Sequence, residues 1–220
     1  MKTKIKKTYY LLILDKSGSM ESCRKETINS FNEQLQTIKQ LQKKFPGQKI
    51  RISLTLFNHE ISHVIDRKPP EYIAQLTNKT YQLGGMTALY DAIGKSVRKL
   101  ETAILEELKA GTASAMVVII TDGYENSSRK YSFKKVKKII TEHEASKQWN
   151  FSYLASTIDA REEAYNMNIK PGRAYFFKQN KVKDAFNYVN EGLYAQLEDN
   201  EKHEVDIEKL MDEVKQTYKN

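Results

Sequence analysis

Tyr9-Tyr10-Leu11-Leu12-Ile13-Leu14 runs without a break into Asp15-Lys16-Ser17-Gly18-Ser19-Met20. A short apolar run bounded by a Gly-containing turn reads as a strand buried on both faces. Its end delivers a carboxylate and two hydroxyls at alternate positions. In open α/β sheets, ligands sit outside the carboxyl ends of the strands, so these oxygens stand where a ligand would. Oxygen groups alone suit Mg²⁺ or Mn²⁺ and not zinc. The plainer alternative is that Asp15 and Ser17 only cap the helix that follows.

Outward from this stretch, strand and helix patterns alternate. Thr27 to Phe45 places Ile28, Phe31, Leu35, Ile38 and Leu41 on one helical face, and Pro46-Gly47 stops it. Ile50, Ile52, Leu54 and Leu56 alternate as a strand; Ser62 to Asp66 follows as a second. Pro69-Pro70 opens a short helix to Leu76. Then come a helix at Tyr90 to Leu108, a strand at Ala115 to Thr121, a helix at Phe133 to Ser146 and a strand at Asn150 to Ser156. A short helix at Ala160 to Met167, a strand at Arg173 to Phe177 and a helix at Val182 to Leu197 complete the series. Such alternation implies a Rossmann-like, doubly wound α/β fold, mostly parallel, with helices on both faces of the sheet.

Two later segments complement the first turn. Gly84-Gly85-Met86-Thr87-Ala88-Leu89-Tyr90-Asp91 sets a hydroxyl between a glycine pair and a helix, and Val117-Val118-Ile119-Ile120-Thr121-Asp122-Gly123 ends a strand on a carboxylate. The set resembles the von Willebrand factor A domain with its metal-ion-dependent adhesion site. In that family a D-x-S-x-S loop, a distant Thr and a distant Asp hold one divalent cation. The resemblance assigns those roles to Asp15, Ser17, Ser19, Thr87 and Asp122, with Mg²⁺ or Mn²⁺ as the ion. It covers roughly Tyr9 to Leu197 and implies that Ser62 to Asp66 is an antiparallel edge strand.

The resemblance also implies a non-enzymatic function: a protein-interaction module whose cation takes an Asp or Glu carboxylate of a partner protein. Some bacterial stand-alone domains of this kind work beside AAA+ ATPases of the MoxR type, which suggests a partner class. The single cysteine, Cys23, leaves no internal disulfide and agrees with a reducing compartment, so a cytoplasmic location is expected. The apolar run after Lys2, Lys4, Lys6 and Lys7 meets Asp15 too soon for a signal peptide. No stretch approaches the roughly 20 apolar residues of a membrane span.

With 220 residues, 40% of them hydrophobic, the chain suits one α/β domain over residues 1–198 and a polar helical tail over 199–220. In the tail, Ile207, Leu210, Met211 and Val214 form a stripe behind Asp206 as helix cap. The formal charge is +8, with the densest basic cluster in 129–138. A nucleic-acid surface on that helix is the alternative function, but Phe133 belongs to its apolar face and stacking platforms are missing. A metal-dependent hydrolase is the remote one. His59-Glu60-Ile61-Ser62-His63 spells a zinc-protease signature, yet that motif needs a helix and these residues read as a hairpin. His143 and His203, set among acids, are expected to be exposed.

Overall fold

The computed structural model describes residues 2–156, 158–177, 181–202 and 204–206. The strands are β1 (Lys2–Lys4), β2 (Lys7–Asp15), β3 (Lys49–Phe57), β4 (Ile61–Lys68), β5 (Ala113–Thr121), β6 (Trp149–Ala155), β7 (Ala174–Phe176) and β8 (Glu204–Asp206). The α-helices are α1 (Arg24–Lys44), α2 (Leu89–Lys109), α3 (Phe133–Ala145), α4 (Ile158–Asn166) and α5 (Val182–Lys202). Six strands form one sheet in the order β4-β3-β2-β5-β6-β7. All its pairings are parallel except β4 on β3, so the antiparallel edge lies where the resemblance puts it.

Strand alternation sorts the core into two layers. Tyr10, Leu12 and Leu14 of β2 face a cluster that includes Phe31, Leu35 and Ile38 of α1 and Phe186, Val189 and Leu193 of α5. Tyr9, Leu11 and Ile13 face the opposite cluster, with Ile93 and Val97 of α2 and Val136 and Ile140 of α3. Burial on both faces explains why β2 and β5 read as unbroken apolar runs. Because β2 lies between β3 and β5, with Leu14 opposite both Leu56 and Ile120, their carboxyl ends emerge side by side. That adjacency brings Asp15 and Asp122 together from residues far apart in sequence.

Beyond Pro69 only a 3-10 turn, Pro70–Tyr72, forms in place of a helix to Leu76. Its reason is a competing partner: the Asn32 side chain of α1 accepts from Leu76 N at 2.8 Å and donates to Leu76 O at 3.0 Å. His143 is buried, not exposed, with its ring 4.6 Å from that of Trp149 at 85°. Burial holds its pKa below the usual histidine range. It continues the face of Val136, Ile139 and Ile140 at helical spacing, which outweighs its acidic neighbours in sequence.

Asp206, expected as a helix cap, ends β8, which pairs antiparallel with β1 in a separate two-stranded sheet. The expected tail helix from Ile207 onward, and His203, lie outside the described residues. The H-E-x-x-H stretch is a turn followed by β4, with His63 Nδ1 2.9 Å from Thr55 Oγ1. Among the described residues no helix is long and apolar enough to cross a membrane.

Candidate metal centre

The first loop turns on Asp15. This carboxylate is fully buried; Oδ1 accepts from Ser17 N at 2.6 Å and Oδ2 from Thr121 Oγ1 at 2.6 Å. The second bond ties β2 to the end of β5. Ser17 stands at the cap position of a 3-10 turn, Gly18–Cys23, but its hydroxyl makes no capping bond. It lies 3.1 Å from Ser19 Oγ, and Ser19 Oγ donates to Asp122 Oδ1 at 2.7 Å. Capping therefore does not account for Ser17.

Thr87 joins the same place. A Cβ added at Gly123 would lie 3.2 Å from Thr87 Oγ1, 3.3 Å from Ser19 Oγ and 4.0 Å from Ser17 Oγ. Three hydroxyls from two distant loops thus border one methyl-sized gap, kept open by the missing side chain at Gly123. All five expected residues converge here: Ser17, Ser19, Thr87 and Asp122 around the gap, and Asp15 behind Ser17.

Several supporting residues carry no sequence signal that would have singled them out. Buried Tyr81 donates its hydroxyl to Asp15 O at 2.5 Å. Asn126 brackets Thr87: its Oδ1 accepts from Thr87 N at 2.9 Å and its N donates to Thr87 O at 3.0 Å. Asn58 holds the glycine pair by donating from Nδ2 to Gly84 O at 2.5 Å. At Gly85, φ is +77° and a Cβ would sit 2.1 Å from His59 Nδ1, so only glycine fits. Gly18 N in turn donates to Gly85 O at 3.3 Å, linking the first two loops.

The third loop is fixed by two further acids. Glu125 Oε1 accepts from Ser127 N and Ser128 N at 2.8 and 2.6 Å, and Oε2 from Tyr90 N and Ser128 Oγ at 2.8 and 2.6 Å. Asp91 accepts from Arg129 N, Lys130 N and Tyr131 N at 3.2, 2.9 and 2.7 Å. These bonds fasten 125–131 to the start of α2, and so set the Asp122 loop against the Thr87 loop. A signal existed for Asp91 and Glu125 only in their being acids near a helix start and a strand end.

The electrostatics differ between the two sets of acids. Burial pushes Asp15 up to about 6, against opposing bonds from Thr121 and Ser17. Burial also raises Asp122, against a bond from Ser19. Asp122 Oδ2 is buried with no hydrogen-bond partner among the described residues. A buried acceptor without a donor costs about 1–3 kcal/mol. A divalent cation at the gap would remove that deficit, and the surrounding donor set of two carboxylates and three hydroxyls has the hard-oxygen character of a Mg²⁺ or Mn²⁺ site. Among the described residues no group of three or more His, Cys, Asp or Glu could hold a metal, so the H-E-x-x-H residues assemble no zinc centre.

Comparison with known proteins agrees with this fold. The von Willebrand factor type A domain profile matches residues 11–191. No curated protein sequence matches the chain closely enough to count as a relative. The vWF domain of the type V pili tip protein Mfa5 from Porphyromonas gingivalis superposes with a TM-score of 0.60 at 9% identity, covering 89% of this chain and 97% of that one. The manganese-loaded TRAP protein of Plasmodium vivax gives 0.58 at 14% identity, over 86% and 76%. Proximal thread matrix protein 1 of the mussel byssus gives 0.53 at 11% identity over 86% of this chain, which spans about half (46%) of that protein's length. At these identities the structures speak for the fold alone. The sequence profile, together with the fold, establishes that the chain belongs to the von Willebrand factor type A domain family.

Proposed function

We propose that this chain is a non-enzymatic protein-interaction module that works through a divalent cation. Asp15, Ser17, Ser19, Thr87 and Asp122 would hold Mg²⁺ or Mn²⁺, and an Asp or Glu carboxylate of a partner protein would complete its shell. The observation that carries the reading is the buried, unpartnered Asp122 Oδ2 beside hydroxyls of two other loops around the Gly123 gap. The cation would supply a compact positive charge that prefers an anionic oxygen ligand. The chain's own residues supply rigidity, since Tyr81, Asn126, Asn58 and Glu125 fix all three loops before a partner arrives. Such preorganisation lowers the ordering cost of binding.

Two solved relatives support the reading by analogy: one carries manganese and one is a pilus tip protein. No second acid lies two residues after Asp15, where an aspartyl-phosphate enzyme would need one; Ser17 is there instead. The test uses Mn²⁺ as the probe. Disappearance of the free-ion electron paramagnetic signal should report one site per chain, and N-acetyl-aspartate methylamide should then displace metal-bound water, read by proton relaxation. The asparagine analogue should do neither. Absence of Mn²⁺ binding, or turnover of phosphoesters or peptides by the metal-loaded chain, would overturn the proposal.

A further inference from the structure

Beside the metal loops lies a cleft of about 400 Å³, walled by the rings of Tyr90, Tyr124 and Phe133 and by the carboxylates of Glu125, Glu162 and Glu163. Among the described residues its lining contains no lysine or arginine. A concave surface lined with acids and aromatic faces has the chemistry for a cationic guest. We propose that this cleft receives a lysine or arginine side chain.

The acids divide the labour. Glu125 is spent on structure, with both oxygens accepting from Tyr90 and 127–128. Glu163 is only half used: Oε1 accepts from Tyr90 Oη at 2.7 Å, while Oε2 is buried with no partner among the described residues. That oxygen lacks the donor that an ammonium or guanidinium would bring. A second buried polar group near Glu163 also lacks a partner among the described residues. Tyr153, fully buried on β6, has an unpartnered hydroxyl; burial first, and then the nearby Glu163 and Tyr90, hold its pKa well above the ordinary phenol value. Glu162 stands exposed on the same helix, where it would meet a basic side chain on its way in.

The rings are held in place for this task. Tyr90 is anchored by its bond to Glu163 and packs edge-on against Phe133, with centroids 6.0 Å apart at 64°. Tyr124 is about half exposed and follows Gly123 directly. A cation over such faces gains roughly 0.5–2 kcal/mol, in addition to its charge-assisted hydrogen bond. A membrane lipid with a choline headgroup would share the cation–π chemistry, but it has no N–H for Glu163 Oε2, so a protein side chain is the better fit.

The cleft draws residues from the segments that carry two of the metal-centre side chains. Tyr124 and Glu125 extend the loop that carries Asp122, and Tyr90 lies three residues after Thr87. A partner segment presenting an acid to the cation could therefore present a base to the cleft, which would select for acid and base close together in its sequence. That pairing rests on the proposed function; the affinity of the cleft for a basic side chain does not.

The test is an NMR titration of the full-length ¹⁵N-labelled chain, without metal, using N-acetyl-lysine methylamide and N-acetyl-arginine methylamide. Saturable shifts at Tyr90, Tyr124 and Glu163 in the millimolar range, absent with the glutamine analogue or phosphocholine, are expected. Glu163→Gln should weaken the stronger ligand about tenfold, and Glu162→Lys, at an exposed position, should weaken it without disturbing the fold. No saturable shift, or equal shifts with the neutral analogue, would overturn the cleft proposal while leaving the metal reading standing. Saturation by phosphocholine alone would reassign the cleft to a lipid headgroup and also overturn it. Lysine binding in a chain that ignores Mn²⁺ would uphold the cleft and sink the metal reading.

Discussion

Two pairs of carboxylates sit at the same end of the same sheet and are treated in opposite ways. Asp91 and Glu125 are saturated: the first accepts three backbone N–H groups and the second three more with a hydroxyl. Burial alone would raise Asp91, yet its backbone donors outweigh burial and leave it below its usual value. Asp15 accepts at each oxygen, from Ser17 N and Thr121 Oγ1, and Asp122 accepts from Ser19 at Oδ1 while its Oδ2 has no partner among the described residues; burial leaves both raised. Acids that backbone donors hold ionised fasten the loops, whereas the two that burial raises are the ones the proposed cation would relieve. A family profile cannot draw this distinction, because it rests on which hydrogen bonds form.

The comparison breaks most visibly at Asp91. Asp91→Ala strands three backbone donors and should destabilise the chain by about 3–4 kcal/mol in urea unfolding, with or without Mg²⁺. If it instead removed only the Mg²⁺ response, Asp91 would belong with the metal pair.

Next comes the pH dependence of Asp15. With its folded pKa raised to about 6 from 3.8, the folded chain holds a proton that the unfolded chain has released across that interval. The stability it contributes is complete below about pH 4 and is lost as pH rises through about 6, by at most about 3 kcal/mol. Thermal melts of the metal-free protein, taken as the difference between the native chain and Asp15→Asn, should show this slope. Bound Mg²⁺ favours the ionised acid, so its stabilising effect should grow over the same interval. A difference that rises with pH in the absence of metal would contradict the assignment.

Asp122→Asn sharpens the contrast in the other direction. Removing an uncompensated buried charge should leave the metal-free chain as stable as the native one, or about 1 kcal/mol more so, while abolishing Mg²⁺ binding in calorimetry. A loss of 3 kcal/mol or so, like that at Asp91, would erase the difference between the two pairs. Tyr81→Phe removes the bond to Asp15 O and should cost about 1 kcal/mol with Mg²⁺ binding retained. Smallest of all, Lys134→Gln with Lys137→Gln on the exposed face of α3 should change stability by less than about 0.5 kcal/mol.

The sequence was legible where chemistry and period coincide. β2 and β5 are apolar runs ending on Asp15 and Asp122, and β4 falls beside β3 because a turn at 58–60 joins two strand patterns. Thr87 could be assigned only through the family pattern, since a hydroxyl between glycines and a helix is a common sight. Tyr81, Asn126 and Asn58 were not legible. The partners through which they hold the loops lie 26 to 66 residues away, so nothing local marks them. Asp91 shows only as an acid near a helix start, with its partners 38 to 40 residues away. His143 departs from expectation for the opposite reason: its acidic neighbours suggest exposure, while it continues a buried helical face that runs from Val136. The stretch over 73–76 was misread because Asn32, from another helix, captures the backbone groups that a helix would have used.

Cation binding by Asp15, Asp122 and the hydroxyls around Gly123 is read out in the melting temperature with and without Mg²⁺ and Mn²⁺. The native chain should gain about 5–10 °C at cation concentrations near a hundred times the dissociation constant. Asp15→Ala and Ser17→Ala should fold but show no gain. A native chain indifferent to both cations, or a gain that survives both substitutions, would contradict such binding.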